Sequence, residues 1–287
     1  MKEHMMEKRP YGKTGIELSV IGFGGILVRD EPPEEASRLV SQAIDWGINY
    51  FDVAPSYGNA EECLGPALEP YRKDVFLACK SEKRSAREAQ AELDESLELL
   101  RTDYFDLYQL HAVTTSEDVE QILAPGGALE TLVAAKNAGI VRHLGFSAHS
   151  ETAALALMDA FAFDSILFPI NWVTWNAGRF GARVVDTAVQ KGLAILALKT
   201  LAKRQWADGD DRKKSPKTWY QPVESYEEAR LAVRFTLSRP VTAAVSPGHE
   251  HLIRWAVDAA NEFTPITPKE EALLADRARD LSPIFAV

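Results

Sequence analysis

The sequence repeats one pattern eight times between about residue 18 and residue 262: a short apolar run is followed by a longer amphipathic segment. Two of these units are "INYFDVA" with "NAEECLGPAL" and "LAILALK" with "YEEARLAVRFTLS". Nearly continuous apolar strands that alternate with amphipathic helices indicate a parallel sheet covered by helices. An open Rossmann-type sheet would use similar units, but "GFGG" lacks the third, helix-opening glycine of that fingerprint. The pattern therefore predicts a single α/β domain over residues 1–287, a closed (β/α)8 TIM barrel.

Three segments lie outside the repeats. "YGKTGIEL" predicts an N-terminal β-hairpin that turns at Thr14 and Gly15. "TPKEEALLADRARDLSPIFAV" predicts a C-terminal amphipathic helix that covers one side of the barrel. A long connection at 202–224 carries Trp206 and Trp219 among charged residues, and connections of this length are often functional.

Composition and charge restrict the classes of partner. The chain carries a formal net charge of -10, whereas nucleic acids and anionic membranes select basic surfaces, so neither is expected as a partner. Cys63 and Cys79 are the only cysteines, and they form neither a disulfide scaffold nor a metal-site spacing. "MKEHMMEKRP" has no apolar signal region, and no apolar run reaches about 18 residues. These features predict a soluble cytoplasmic protein.

Polar residues stand where the predicted strands end. In such barrels the active site lies at the C-terminal ends of the strands. The residues at these ends are Asp52, Lys80, His111, Ser147, Asn171 and Lys199, and Tyr57 follows shortly after Asp52. Because buried charges must be paired, we expect Asp52 and Lys80 to be partners.

These residue types suit the protonation of a developing alkoxide. A free tyrosine has a pKa near ~10, and a nearby ammonium lowers that pKa. We therefore expect Lys80, held by Asp52, to lower the pKa of Tyr57 and to ease proton donation near neutral pH. His111 would orient a carbonyl oxygen. An alkoxide also requires an electron-pair donor, and no metal cluster is evident in the sequence, so a hydride cofactor is expected.

Four segments, "GINYFDVAPSYG", "LACKS", "DLYQLH" and "HLGFS", resemble the signature segments of the aldo-keto reductases. The likeness runs in order from "YGKTGIELSVIGFGG" to "SPGHEHLIRW". It implies a (β/α)8 barrel that binds NAD(P)H in an extended form without a Rossmann domain. It also implies that the catalytic tetrad of the family is Asp52, Tyr57, Lys80 and His111, with Tyr57 as the general acid in the reduction of a small-molecule aldehyde or ketone.

The resemblance further implies the contacts of the nicotinamide and the diphosphate. Ser147 corresponds to the serine that holds the carboxamide, and Asn171 takes the next contact. The family's "AYSPL" segment reads "ALKTL" here, so Leu198 replaces the tyrosine that stacks on nicotinamide. Lys199 replaces a serine near the diphosphate, which a lysine binds as a point charge. Gly25 and Leu201 complete these implied contacts.

The adenosine end of the cofactor follows from the "SPGHEHLIRW" segment. Gly248 and His249 stand where the family often places a lysine and a serine, Arg254 matches its arginine, and Asp258 replaces an asparagine. The N-terminus of the eighth helix, beside His249, is suited to a phosphate. We therefore predict NADPH as the cofactor, with NADH as the alternative. His249 and His251 lack a third ligand, so no metal site is predicted.

Two alternatives remain open at this level. A Schiff-base lyase or aldolase would use Lys80 or Lys199 as an amine nucleophile, but it would leave Tyr57 and Arg254 without a role. A redox-sensing barrel that binds the cofactor and turns over slowly is motivated by the replacement at Leu198. The physiological substrate and the oligomeric state are not predicted.

Overall fold

Eight almost fully buried strands pair in parallel and close into a barrel in a computed structural model that describes residues 6–287. Two strands of a preceding hairpin are β1 (Lys8–Pro10) and β2 (Glu17–Ser19). The barrel strands are β3 (Ile21–Gly24), β4 (Tyr50–Asp52), β5 (Phe76–Ser81), β6 (Phe105–Val113), β7 (Val141–Ala148), β8 (Ser165–Pro169), β9 (Ala194–Leu198) and β12 (Ala243–Val245), and β12 pairs with β3 to close the circle. The predicted (β/α)8 barrel is confirmed.

Amphipathic helices surround the strands because each presents one apolar face to them. In the first helix the predicted face is buried at Ala36, Leu39, Val40 and Ala43. The helices are α1 (Pro33–Asp45), α2 (Ala60–Leu68), α3 (Ala86–Leu99), α4 (Ser116–Leu123), α5 (Ala128–Asn137), α6 (Glu151–Ala160), α7 (Trp172–Asn176), α8 (Ala182–Lys191), α9 (Tyr226–Leu237), α10 (Glu250–Asn261) and α11 (Pro268–Ala278). Among residues 6–287, none of them combines the length and apolar character that a membrane span requires.

Two short helices, α4 and α7, were not predicted from the pattern. In α4 only Val119 and Ile122 are buried, and the helix has 8 residues, so its apolar face covers too few positions to be recognised in the sequence. Its start is nevertheless well defined, because the Thr115 side chain accepts a hydrogen bond from the Asp118 N–H in a capping box. In α7 the Asn171 side chain caps a helix of only 5 residues.

The predicted hairpin is present and covers the N-terminal end of the barrel. β1 and β2 are antiparallel, with Lys8 opposite Ser19. Tyr11, in the turn region, is completely buried and donates a hydrogen bond to Ser165 at the base of β8, at 2.8 Å. Since this end is covered, the opposite end, where the parallel strands finish, is the one available to ligands.

The segments after β9 and β12 differ in detail from the prediction. The connection at 202–224 contains two short antiparallel strands, β10 (Ala202–Arg204) and β11 (Gln221–Pro222). At the C-terminus, α11 packs against α7, and its Glu270 carboxylate pairs with the Arg234 guanidinium of α9. The C-terminal helix therefore covers the helical layer, as expected, and not the barrel interior.

Gly65 marks the closest approach between α2 and α3, which yields a stability prediction. A Cβ atom at Gly65 would lie 2.2 Å from the Leu99 carbonyl oxygen and 2.8 Å from Leu100 Cα. Helix propensity alone predicts that Gly65→Ala stabilises the protein by up to about 1 kcal/mol. Because the clash involves backbone, we expect instead a destabilisation of about 3 kcal/mol in urea unfolding. A stabilised Gly65→Ala variant would show that α2 and α3 separate at little cost.

Candidate active site

A cavity of about 490 Å³ opens at the C-terminal ends of the barrel strands. Its wall includes residues from most of the strand ends and from the long connection at 202–224. The predicted residues among its lining are Asp52, Tyr57, His111, Leu198, Lys199 and Gly248. Closure of the barrel therefore brings four separate segments of the chain to one site, as the strand-end positions predict.

Asp52 and Lys80 form a buried ion pair at the floor of this cavity. The exposed fraction is 1% for Asp52 and 0% for Lys80. The Lys80 ammonium donates to Asp52 Oδ1, to the Val53 carbonyl oxygen at 3.2 Å and to Tyr57 Oη at 3.4 Å. Burial by itself would lower the pKa of Lys80, but the charge of Asp52, the neighbouring Tyr57 and the hydrogen bond to Asp52 together outweigh it, and the net pKa is raised. Lys80 is therefore held as an ammonium next to the phenol.

Tyr57 ends a short 3-10 turn, Pro55–Tyr57, directly after β4. The next residue, Gly58, has φ +65, a conformation in which glycine carries no Cβ penalty, so the chain can reverse there and begin α2. Burial raises the pKa of Tyr57, and the Lys80 ammonium opposes this shift without cancelling it. The expected lowering below the ordinary tyrosine pKa is thus wrong for the protein without a ligand, because desolvation exceeds the attraction of a single ammonium.

His111 lies near the end of β6 with its ring edge towards Tyr57, at a centroid distance of 5.9 Å. Burial and then the Lys80 charge lower the pKa of His111 well below its usual range, so the imidazole is neutral. Its Nδ1 atom lies 3.4 Å from Ser56 Oγ and 3.2 Å from Glu82 Oε1. These neighbours favour opposite tautomers, since the serine hydroxyl can donate to Nδ1 whereas the carboxylate can only accept.

Two further side chains contact Asp52 and were missed in the sequence. Tyr50 Oη and Gln109 Nε2 each donate to Asp52 Oδ2 at 3.1 Å. The signal that could have identified them is strand alternation, because residues two apart on a strand face the same side. Tyr50 precedes Asp52 by two residues, and Gln109 precedes His111 by two.

The two residues implied to hold the nicotinamide carboxamide lie behind the cavity wall. Ser147 is buried at the end of β7, and its hydroxyl oxygen accepts a hydrogen bond from the Ala112 N–H at 2.8 Å. The Asn171 Oδ1 atom accepts from the Val173 and Thr174 N–H groups, at 3.1 and 2.9 Å. Its Nδ2 atom is buried and lacks a hydrogen-bond partner within the described part of the chain. That donor is therefore unpaired among the described residues, but Asn171 does not line the cavity.

Gly25 and Leu201 are buried beside the site and do not line the cavity. A Cβ atom at Gly25 would lie 2.7 Å from a Val53 methyl group, so the residue is needed for the close packing of the loop after β3. Leu201 belongs to the large hydrophobic core. The neighbouring Gly24 does line the cavity.

Lys199 reaches the cavity from a strained backbone position at the end of β9, with φ 66. Its Nζ atom lies 5.4 Å from the Trp219 ring centroid and 5.1 Å from that of Tyr220. Burial, assisted by the charge of Lys80, lowers the pKa of Lys199 to about 8. No carboxylate lies within salt-bridge distance of Lys199 among residues 6–287, so its charge is available to an anionic ligand.

The adenosine-end residues lie on and before α10. The His249 Nε2 atom accepts a hydrogen bond from the Lys217 N–H at 3.3 Å, whereas Arg254 and Asp258 are exposed on the helix surface, outside the cavity of Tyr57. A second cavity of about 470 Å³ lies between α10 and the long connection, and its lining includes His251 and Trp255. In the described part of the chain, no group of three or more potential metal ligands occurs.

Comparison with known proteins identifies the family. The model of the "Aldo/keto reductase family" matches residues 20–272. An uncharacterized oxidoreductase of Bacillus subtilis, YqkF, is 33% identical over 156 residues, 50% of this chain and 49% of that protein. The aldo-keto reductase yakc [NADP(+)] of Schizosaccharomyces pombe is 25% identical over 90% of this chain and 82% of its own. The matched region thus spans about half the length of YqkF and 82% of the length of the yeast protein.

Solved structures show the same fold. A putative aldo-keto reductase from Pseudomonas aeruginosa is 25% identical and superimposes with a TM-score of 0.70, covering 90% of this chain and 99% of that one. The holo form of an aldo-keto reductase from Bacillus halodurans gives a TM-score of 0.74 at 21% identity, covering 97% and 98% of the two chains, and supports the fold alone. The chain belongs to the aldo/keto reductase family.

Proposed function

We propose that the protein reduces an aldehyde or ketone to an alcohol with NADPH as the cofactor. The observation that carries this proposal is the buried Lys80 ammonium, paired with Asp52 and 3.4 Å from Tyr57 Oη, at the floor of the strand-end cavity. Family membership supports the reaction class, and the yeast relative named for NADP(+) supports the cofactor. A small-molecule carbonyl compound is the substrate class.

Tyr57 is the general acid in this proposal. Its phenol proton passes to the oxygen of the carbonyl group as negative charge develops there. Lys80 stabilises the phenolate that remains, because its ammonium lies next to Tyr57 Oη and is kept charged by Asp52. Preorganised charges of this kind need no rearrangement when the reaction occurs.

His111 orients the substrate. Its imidazole is neutral and therefore carries a single N–H group. When the Ser56 hydroxyl donates to Nδ1, the proton of the ring is on Nε2 and can be donated to a carbonyl oxygen. With this tautomer, Tyr57 and His111 would both donate to one substrate oxygen.

The residues around the cavity fit a dinucleotide cofactor. The Asn171 Nδ2 donor suits a carboxamide oxygen and the Lys199 ammonium suits a diphosphate, since neither group has a polar partner within residues 6–287. Ser147, whose hydroxyl oxygen accepts from the Ala112 N–H, is the second candidate for the carboxamide, and the residues proposed for the adenosine phosphate are Gly248, His249, Arg254 and Asp258. Gly25 and Leu201 would act by shaping the wall behind the cofactor. When bound, the cofactor supplies the hydride that the carbonyl carbon accepts.

A Schiff-base reaction at Lys199 is the second candidate. The lowered pKa of about 8 leaves part of Lys199 as a neutral amine near neutral pH, whereas the raised pKa of Lys80 makes that amine a poor nucleophile. Sodium borohydride would trap a carbonyl substrate on Lys199 in this case. Peptide mass mapping would then locate the adduct.

The reduction is tested with NADPH that carries deuterium at the transferable position of the nicotinamide. A panel of aldehydes and ketones is incubated with the protein, and the alcohols are examined by mass spectrometry. Deuterium at the former carbonyl carbon is the expected result, with NADH as the comparison for cofactor preference. Tight cofactor binding without deuterium transfer to any member of a broad panel would instead favour a redox-sensing role.

A further inference from the structure

Two buried side chains donate hydrogen bonds to the Asp52 oxygen that does not accept from Lys80. Lys80 donates to Oδ1, whereas Tyr50 Oη and Gln109 Nε2 both donate to Oδ2 at 3.1 Å. We propose that Tyr50 and Gln109 are positioning residues that fix Asp52, and through it the Lys80 ammonium, for the proton transfer at Tyr57. This inference rests on the carbonyl reduction proposed above, and it adds two residues to the machinery of that reaction.

The position of the ammonium depends on how the carboxylate is oriented. Lys80 Nζ has three acceptors: Asp52 Oδ1, the Val53 carbonyl oxygen at 3.2 Å and Tyr57 Oη at 3.4 Å. A partial rotation of the carboxylate would displace Oδ1 and draw Nζ away from the phenol. The two donors on Oδ2 resist that rotation, because it would leave the buried N–H group of Gln109 and O–H group of Tyr50 unpaired.

Gln109 has a feature that packing alone does not explain. Its side chain is 0% exposed, and its Oε1 atom has no hydrogen-bond partner in the part of the chain that the structure describes. A buried unpaired acceptor destabilises the fold, and methionine fills a similar volume without that cost. The amide is useful only through Nε2, whose acceptor is Asp52.

Tyr50 contacts Asp52 from the N-terminal side, because it precedes Asp52 on the same strand. The two residues are separated by one position in β4, so both side chains face the barrel interior. Burial and then the charge of Asp52 raise the pKa of Tyr50 well above its usual value. The phenol therefore stays protonated, and remains a hydrogen-bond donor, beyond the pH at which an ordinary tyrosine ionises.

Other titratable groups surround the pair and contribute to any pH profile. Cys79 adjoins Lys80 on β5, and Tyr11 lies below Tyr50. Those that face Tyr57 and Lys80 from other elements are His111, Lys199 and Tyr220. Since these groups remain in place in Tyr50→Phe and Gln109→Met, a change in the profile of either variant reports the Asp52 contacts.

The test compares Tyr50→Phe and Gln109→Met with Tyr11→Phe. Tyr11 is the matched control, because it is a completely buried barrel tyrosine whose hydroxyl donates to Ser165 and not to Asp52. We expect kcat of carbonyl reduction to fall about tenfold in each test variant, in line with one lost hydrogen bond to a charged group. KM for the substrate and Kd for the cofactor should stay unchanged, and Tyr11→Phe should keep the parent kcat.

A second readout does not require turnover. The ionisation of tyrosine is followed by ultraviolet absorbance as the pH is raised. For each protein, the titration of its own Tyr57→Phe counterpart is subtracted, and the difference gives the pKa of Tyr57. With Lys80 less well placed in Gln109→Met, this pKa should rise, because less positive charge stabilises the phenolate. An unchanged Tyr57 titration in Gln109→Met, or a kcat equal to that of Tyr11→Phe in both test variants, would overturn the positioning role. If the parent protein shows no turnover, the proposed reaction fails, and the titration still decides whether Gln109 places Lys80.

Discussion

Replacing Tyr57 with phenylalanine is expected to lower kcat/KM for carbonyl reduction about 10³-fold, within the range typical of general acids. The variant loses the phenol that lies against the Lys80 ammonium, while the cavity keeps its shape. Initial rates of NADPH oxidation measure the loss, and fluorescence titration should give an unchanged Kd for the cofactor.

Tyr108→Phe is the matched control for this prediction. The Tyr108 hydroxyl is buried on β6 without a hydrogen-bond partner among residues 6–287, and its ring stacks on Phe105 away from the cavity. This variant should retain the parent rate. Full activity of Tyr57→Phe would remove Tyr57 from the mechanism and, with it, the assigned role of Lys80.

The raised pKa of Tyr57 adds a pH dependence with a defined sign. Reduction uses the protonated phenol, so its rate should hold through neutral pH and fall only as the phenol ionises under alkaline conditions. Oxidation of the corresponding alcohol uses the phenolate and should increase over the same range. If the reduction rate falls and the oxidation rate rises over the same pH range, with one pair of carbonyl compound and alcohol, Tyr57 is identified as the group that both reactions use.

Replacing Lys80 with methionine is expected to affect both activity and stability. Tyr57 loses the charge that stabilises its phenolate, so reduction should fall at least 10²-fold, on the order of a general acid contribution. Asp52 is left as a buried carboxylate without a counter-ion, which costs about 3–5 kcal/mol in the free energy of unfolding. Urea unfolding followed by circular dichroism measures this second effect.

The double variant Lys80→Met with Asp52→Asn separates the two effects. It removes both charges of the buried ion pair, and the asparagine oxygen can still accept from Tyr50 and Gln109. We therefore expect at least about 2 kcal/mol of the lost stability to return, while activity stays absent. A double variant as unstable as Lys80→Met would mean that the loss comes from packing around the lysine stem and not from the unpaired carboxylate.

The repeating pattern of the sequence was sufficient for the architecture because each strand and helix carries its own periodicity. The predicted face of α1 and the hairpin turned at Thr14 and Gly15 both occur as expected. α4 and α7 escaped prediction because they are short and bury few apolar side chains. The 202–224 connection gained its strands β10 and β11 from pairing between residues about 20 positions apart, which local periodicity does not report.

The candidate site was likewise predicted only in part from the sequence. Strand-end positions in the sequence determined which groups meet, because the C-terminal ends of parallel barrel strands share one face: Asp52, Tyr57, Lys80 and His111 all lie there. Only the tertiary structure decided the direction of the Tyr57 pKa and the additional donors to Asp52. Both depend on burial and on contacts across neighbouring strands, which exist only once the barrel has closed in its register.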